Sequence, residues 1–281
     1  MELITTHIKK DVEKMNSKGI YKQYDETADL LKFLTSSNVR TSILLSLNES
    51  SKNLTDLKQD LNLESSTIIH STSKLEKRNL IFKNGENYSL SQIGKTFALK
   101  LVSLIKTIDT VKSHEKLWLN HEIDGIPEDL LLKIGELRNS ILIKPEPTDI
   151  NKPHTTFTQL LQSSKKLKGV SPVFHSDFVE IVTALVSEGV DVQLIFTELI
   201  LDKVTNSIPK EVLSRDNFKV YLLNEEVKEA FAVTNSFLSF GLFLMDGIYD
   251  YSTDLVSDDK DAIAWGELLF EYYLQKSKRI N

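Results

Sequence analysis

The sequence contains no cysteine among its 281 residues. This absence excludes disulfide bonds, catalysis by a thiolate and metal sites with cysteine ligands. No apolar run approaches the ~20 residues that a membrane-spanning helix needs. Charged residues interrupt any secretory signal early, at Lys9, Lys10 and Asp11. These absences predict a cytoplasmic protein with no membrane partner.

The motifs of several enzyme classes are also missing. There is no glycine-rich phosphate loop, no Gly-x-Ser-x-Gly elbow and no His-Glu-x-x-His motif. His175 is followed two residues later by Asp177, where a phospholipase D-like motif requires lysine. His114 and His121 lie seven residues apart without a third ligand nearby, so we interpret them as ordinary surface or core histidines. We therefore predict no catalytic residues, no metal site and no cofactor.

Charge is distributed unevenly along the chain. The formal net charge is −6, but residues 27–100 carry ten Lys/Arg against seven Asp/Glu and residues 101–281 carry 19 against 28. A mildly basic N-terminal module on an acidic body is typical of a nucleic-acid reader joined to a domain of another kind. The length also favours two domains.

Residues 54–90 hold the most informative pattern in the chain. Two apolar stripes at helical spacing predict two short helices, one with Leu54, Leu57 and Leu61 and the next with Ile68, Thr72 and Leu75. Asn79 can adopt the left-handed conformation that ends a helix. Asn84-Gly85 between two extended segments predicts a tight hairpin turn. Helix, turn, helix and hairpin in this order predict a winged helix-turn-helix.

Two helices are expected to precede this motif, separated by a cap at Ser37-Asn38. The predicted core of the domain consists of eight apolar residues, namely Ile43, Leu44, Leu47, Leu57, Leu61, Ile68, Leu75 and Ile81.

Two further amphipathic segments flank the motif. The first 26 residues carry Leu3, Ile4, Ile8, Val12 and Met15 at helical spacing. The segment from Gly94 to Ile108 carries Phe97, Leu101, Leu104, Ile105 and Ile108 on one face. Either segment is a dimerisation surface or packs on its own domain, and the residues alone leave both interpretations open.

From Glu128 onward the pattern changes to alternating strands and helices, which implies crossover connections and an α/β sheet. The predicted fold is therefore mixed α/β overall. Its predicted parts are an N-terminal helical arm (1–26), a winged helix-turn-helix domain (27–100), a linker or dimerisation helix (101–127) and an α/β sensor or dimerisation domain (128–281).

Several motifs resemble known regulators. Leu63 to Ile81 resembles the bacterial and archaeal winged-helix pattern, with Leu75-Glu76 followed by Leu80-Ile81, although Thr72 replaces an apolar residue and Asn79 replaces glycine. The C-terminal part resembles the sensor-like domain of archaeal regulators known best from methanogens. The segments that carry this likeness are 144–147, 172–178, 243–250 and 264–273. The resemblance spans Asp29 to Ser277 and implies a transcription regulator.

A recognition helix in the major groove reads bases with side chains on the exposed part of its N-terminal half. The candidates for contact with base edges or nearby phosphates are Ser65, Ser66, Thr67, His70 and Ser71. The candidates for the phosphate backbone are Lys74, Lys77 and Arg78, and the candidates at the hairpin tip are Lys83 and Asn84. The alternative is that these residues form only a solvated helix face and a loop.

In open α/β sheets, ligands bind at the carboxyl ends of the strands. This rule selects His175, Ser176 and Thr197, with Tyr221, Asn235 and Trp265 as candidate walls of a ligand site. Each has a plain alternative, such as a helix cap for Ser176 or a core anchor for Trp265.

The sequence thus predicts a homodimeric transcription regulator that binds double-stranded DNA and senses a small-molecule effector. The first alternative is a winged-helix module that binds another protein instead of DNA. A more distant one is an enzyme that acts on DNA.

Overall fold

The computed structural model describes the backbone from Glu2 to Asn281 and the side chains from Gly19 onward. The side chains predicted to line the N-terminal arm, from Leu3 to Met15, therefore lie outside the described residues. The chain divides into two compact units, one up to Val102 and one from Ser103 to Asn281. Within the described chain, every helix is too short or too polar to cross a lipid bilayer.

The first unit contains four helices and a small antiparallel sheet. The helices are α1 (Glu2–Thr35), α2 (Asn38–Glu49), α3 (Leu54–Leu61) and α4 (Ser65–Lys77), and the strands are β1 (Lys52–Asn53), β2 (Ile81–Asn84) and β3 (Asn87–Leu90) in the order β1-β3-β2. Helix α5 (Gln92–Ser113) follows. This is the predicted winged helix-turn-helix.

Side-chain caps and left-handed residues set the helix boundaries. Ser37 accepts a hydrogen bond from the Arg40 amide and begins α2. Asn53 and Asp56 form a reciprocal capping box that begins α3. Asn62 and Asn79 adopt φ values of 51° and 56°, so each turns the chain after a helix in a conformation that asparagine tolerates well.

The hairpin turn differs by one residue from the pair expected in the sequence. Asn84 pairs with Asn87, so the two-residue loop is Gly85-Glu86 rather than Asn84-Gly85. Gly85 has a φ of +59°, which glycine adopts at the first central position of a primed hairpin turn.

The predicted core of the first unit is confirmed. Seven of the eight residues are at most 4% exposed, and Leu61 packs against them partly buried. Thr72, which replaces an apolar residue, is 1% exposed, and its hydroxyl donates to the Ile69 carbonyl. Helix α5 approaches this core closely because Gly94 has no side chain. A Cβ there would lie 1.8 Å from the Leu80 carbonyl oxygen.

The second unit is built on one eight-stranded sheet. Its order is β11-β7-β6-β5-β8-β9-β10-β4, with β5, β6 and β7 parallel and the other pairs antiparallel. The strands are β4 (Ile141–Ile143), β5 (Lys166–Ser171), β6 (Asp191–Thr197), β7 (Phe218–Leu223), β8 (Glu229–Thr234), β9 (Leu238–Leu242), β10 (Asp254–Ser257) and β11 (Lys278–Arg279).

Helices cover both faces of this sheet. They are α6 (Glu115–Asn120), α7 (Glu128–Leu131), a 3-10 turn (Ile134–Leu137), α8 (Lys152–Gln162), α9 (Ser176–Ser187), α10 (Glu198–Ser207), α11 (Lys210–Leu213) and α12 (Lys260–Lys276). Because successive strand residues point to opposite faces, Leu194 joins the core under α8 to α11 while Ile195 joins the core under α12. The predicted mixed α/β class is confirmed.

Residues that follow α5 belong to the core of the second unit. Leu117 and Ile126 are each 4% exposed and pack in the α12 core. Trp265 lies in the same core, where its indole N–H donates to the Leu130 carbonyl at 2.9 Å.

Glu229 is an acidic residue with no exposed surface in this core. Tyr273 donates its hydroxyl to Oε1, and Oε2 has no partner within the described part of the chain. Burial raises the pKa of Glu229 to about 7. The folded state therefore favours the neutral carboxyl.

We predict that this carboxyl makes the protein less stable as pH rises. The folded pKa of about 7 lies above the ordinary glutamate pKa of 4.5, so the folded state binds the extra proton between these pH values. The free energy of unfolding should fall by roughly 3 kcal/mol across this window, at ~1.4 kcal/mol per pKa unit. Denaturant titrations from pH 4.5 to 8 should show this decrease in the wild type. Glu229→Gln should lose the share that Glu229 contributes and keep the share of Asp254, a second buried carboxyl whose pKa is raised to about 7.

Glu188→Gln is the matched control, because Glu188 is exposed at the end of α9. Its pH profile should follow the wild type. A wild-type-like profile in Glu229→Gln would contradict the assignment.

Candidate nucleic-acid interface and cavity

Helix α4 exposes one polar face. Ser66, Thr67, His70, Lys74 and Lys77 are all exposed, and Ser65 is half-buried. Positions 66, 70, 74 and 77 recur at helical spacing, so they share one face, opposite Ile68 and Leu75. The structure thus brings together most of the helix residues selected from the sequence.

Ser71 is not on this face. It follows Ile68 by three residues and precedes Leu75 by four, so it lies on the buried stripe. Its exposure is 6%, which removes its hydroxyl from any external surface. Ser71 was selected for DNA contact because of its residue type. Its position on the buried side of the helix removes it from the candidate residues.

Arg78 is already engaged inside the first unit. Its guanidinium donates to the Asp29 carboxylate at 2.9 Å and lies 4.6 Å from the centre of the Phe33 ring. Arg40 approaches the same ring at 4.3 Å and donates to the Phe33 carbonyl. These contacts tie the end of α4 to α1, so Arg78 has a structural role besides the predicted one.

The three charged candidates Lys74, Lys77 and Lys83 differ from Arg78 in making no ion pair within the described part of the chain. Lys74 and Lys77 are exposed and have no ion-pair partner among the described residues. Lys83 and Asn84 are exposed next to the Gly85 turn, and the Lys83 ammonium lies 5.3 Å from the centre of the Tyr88 ring. A helix with hydroxyls and an imidazole on its face, two lysines at its end and a hairpin tip with Lys83 and Asn84 offers groups that can contact the bases and phosphates of a DNA groove.

A cavity of about 150 Å³ lies beyond the carboxyl end of β5 in the second unit. Residues of the parallel strand β6 and of the antiparallel strands β8, β9 and β10 all contribute to its lining. Its walls are mainly apolar and include Phe157, Phe174, Phe178, Leu194 and Phe196. The segment from Tyr249 to Asp254 closes the other side.

Of the six ligand-contacting residues selected from the sequence, only His175 lines this cavity. Ser176 follows it, and its hydroxyl donates to Asp177 at 3.1 Å. The other four lie elsewhere in the second unit: Thr197 is buried at the start of α10, Tyr221 lies in β7, Asn235 accepts from the Lys165 amide, and Trp265 anchors the α12 core. The structure does not bring these six side chains into one site.

Besides His175, the cavity is lined by polar groups that were not selected from the sequence, among them Asp254 and Tyr249. Asp254 keeps part of its surface accessible and lines the cavity, and its carboxyl accepts a hydrogen bond from Ser239 at 2.7 Å. Burial raises the pKa of Asp254 to about 7 and raises the pKa of Tyr249 as well. A ligand that enters this cavity meets an apolar wall and a carboxyl group that is partly protonated near neutral pH.

Two imidazoles and a carboxylate meet at the rim of the cavity. His154 Nε2 lies 3.1 Å from Asp177 Oδ2, and the rings of His154 and His175 have centroids 4.7 Å apart. The hydrogen bond from Ser176, with the adjacent imidazoles, holds the pKa of Asp177 below its usual value. No spacing motif points to His154, because it lies on α8, 21 positions before His175, which caps α9.

The histidine pair considered in the sequence has separate partners. The His114 ring contacts the Ser140 carbonyl at 3.1 Å, and burial lowers the pKa of His114. His121 is 6% exposed and bonds the Leu117 carbonyl and Asp250.

Two family models match the chain. The N-terminal domain of the methanogenesis regulatory protein FilR1 matches residues 28–109, and the middle domain of the same protein matches residues 150–276. The methanogenesis regulatory protein FilR1 of Methanothrix harundinacea (strain 6Ac) is 32% identical over 259 residues, which cover 89% of this chain. The chain spans 58% of the length of that relative.

Solved structures resemble the chain more distantly. TrmBL2, described as an archaeal chromatin protein with a novel mode of DNA binding, has a TM-score of 0.42 and 13% identity, over 91% of this chain and 99% of its own. Nuc from Salmonella typhimurium, a phospholipase D family member, has a TM-score of 0.40 and 10% identity, over 50% of this chain and 99% of its own.

Proposed function

We propose that this chain, which belongs to the family of the methanogenesis regulatory protein FilR1, is a transcription regulator that binds double-stranded DNA through its winged helix-turn-helix. The observation that carries the proposal is the exposed face of α4, where Ser66, His70 and Lys77 line up opposite a fully buried stripe. The regulatory family supports the same function.

In this proposal α4 lies in the major groove, which is wide enough for one helix. Ser66, Thr67 and His70 contact base edges or nearby phosphates, while Lys74 and Lys77 pair with the phosphate backbone. Lys83 and Asn84 reach the adjacent minor groove from the hairpin tip. Ser71 has no part in these contacts because it is buried, and Arg78 holds α4 against α1 through Asp29.

The two lysines give the sharpest test. Lys74→Ala/Lys77→Ala should weaken binding to the DNA upstream of the protein's own gene by at least about tenfold. It should also reduce the slope of log K against log salt concentration by about two, because each phosphate contact releases roughly one counterion. Fluorescence anisotropy across a salt series measures both quantities.

The charge-matched control is Lys116→Ala/Lys133→Ala, which removes two exposed lysines of the second unit. It should bind DNA like the wild type. If both double variants lose the same affinity, or if the wild type binds no duplex at low salt, the proposal fails and the winged helix is better explained as a protein-binding module.

We further propose that the functional form is a homodimer joined along α5. Residues 97, 101, 104, 108 and 111 of α5 are apolar and alternate at intervals of four and three, the spacing of a coiled-coil seam. Phe97 and Leu101 pack on the core of the first unit, so the later part of the stripe is the part available to a second copy. Leu104, Ile105, Ile108 and Val111 are 41–50% exposed. A second copy of the same helix is the natural partner, because a dimer matches two DNA half-sites by symmetry.

Charge placed in this seam should separate the copies. Leu104→Glu/Ile108→Glu is expected to sediment as a monomer at micromolar concentration, where the wild type sediments as a dimer. Leu199→Glu is the control, because Leu199 is 88% exposed on α10, away from the seam. A monomeric wild type, or a dimer that survives in the double variant, would refute the seam.

The cavity beside β5 is the proposed effector site. Its volume of about 150 Å³ is of the size that holds one benzene-like molecule, and Asp254 offers a hydrogen-bond partner there. An effector that alters the dimer changes the spacing of two recognition helices, which must match half-sites about 34 Å apart.

Phenol is a suitable probe for this cavity. It should raise the melting temperature of the wild type and have no effect on Ala230→Leu, because the larger side chain fills space that Ala230 leaves in the lining. Equal shifts in both proteins would place the binding elsewhere.

A further inference from the structure

A cluster of three side chains at the rim of the cavity has the composition of a metal site. His154 lies on α8, His175 precedes α9, and Asp177 lies in the first turn of α9. One candidate ligand atom from each lies within 4.8 Å of the other two. His154 Nε2 is 3.1 Å from Asp177 Oδ2, and His175 Nδ1 is 3.9 Å from Asp177 Oδ1.

These separations are close to those that a bound ion requires. Bonds of 2.0–2.2 Å from nitrogen and oxygen to a tetrahedral ion place neighbouring ligand atoms roughly 3.3 Å apart. His154 Nε2 and Asp177 Oδ2 already stand at about this separation, and the three candidate ligand atoms lie within 4.8 Å of one another, so small side-chain movements, mainly of His175, bring all three to it. When His175 moves, it loses one weak contact, the 3.3 Å hydrogen bond from the Asp177 amide to His175 Nδ1, and gains a bond to the ion.

Neighbouring side chains hold the three ligands in place. The Phe178 ring lies 5.7 Å from the His154 ring and 5.0 Å from the His175 ring, centre to centre. The Ser176 hydroxyl donates to Asp177 Oδ1 at 3.1 Å and orients the carboxylate. Packing and hydrogen bonds of this kind orient the ligands in known metal sites.

We propose that His154, His175 and Asp177 bind one late first-row divalent transition-metal ion, with zinc as the reference ion. Imidazole and carboxylate ligands suit this class of metal, whereas Mg²⁺ and Ca²⁺ prefer sites made of oxygen atoms. Three protein ligands leave a coordination position open. Both histidines line the cavity, so a molecule in the cavity with an oxygen or nitrogen donor can complete the coordination of the ion.

The site is tested on the full chain without a histidine tag, by equilibrium dialysis against Zn²⁺. The wild type should bind one ion per chain. His154→Ala, His175→Ala and Asp177→Asn should each weaken binding by more than about 100-fold, since loss of a direct ligand exceeds the effect of an outer-shell partner. His70→Ala and Asp202→Asn, which change exposed residues elsewhere, should bind like the wild type.

A cysteine in the site provides a second, spectroscopic test. The chain has no cysteine, so Co²⁺ bound to His154→Cys should show a thiolate-to-cobalt charge-transfer band absent from the wild type. The proposal is overturned if the wild type binds no ion, if the three ligand variants bind as the wild type does and the ion is adventitious only, or if folded His154→Cys shows no such band. None of these readouts involves DNA, so they are independent of the proposed regulator function.

Discussion

The first unit depends on the burial of one face of α4. Ile68 and Leu75 are fully buried against the core formed with α2 and α3. Because the helix has 3.6 residues per turn, burying these two residues also determines which side chains of α4 face solvent. Burying these two residues exposes Ser66, His70 and Lys77 on the opposite side. The same packing that stabilises the domain therefore selects the side chains available to a DNA groove.

The second unit is organised by the change from parallel to antiparallel pairing beside β5. This strand pairs in parallel with β6 and antiparallel with β8. The crossover helix α9 leaves from the carboxyl end of β5, and the segment before β10 returns to the same place. The cavity and the His154 cluster both lie where these segments meet, so one topological feature accounts for their position.

Patterns in the local sequence predicted the helices well. The binding sites were harder to predict, because they depend on which distant segments pack together in the fold. Apolar spacing around Ile68 and Leu75 was enough to predict α4 and its buried stripe. The prediction put Ser71 on the exposed face because serine is polar, although its spacing from Ile68 and Leu75 puts it on the buried face. The rule of strand ends selected His175. His154 and Asp254 join it only because α8 packs against α9 and the segment before β10 reaches the cavity, which no spacing in the sequence encodes.

The central claim is that α4 of a symmetric dimer reads DNA. Hydroxyl-radical footprinting of the chain on the duplex upstream of its own gene tests this claim most directly. The account predicts two protected segments on the same face of the duplex, separated by one helical turn of about 34 Å or a multiple of it. A single protected segment, or none at low salt, would contradict it.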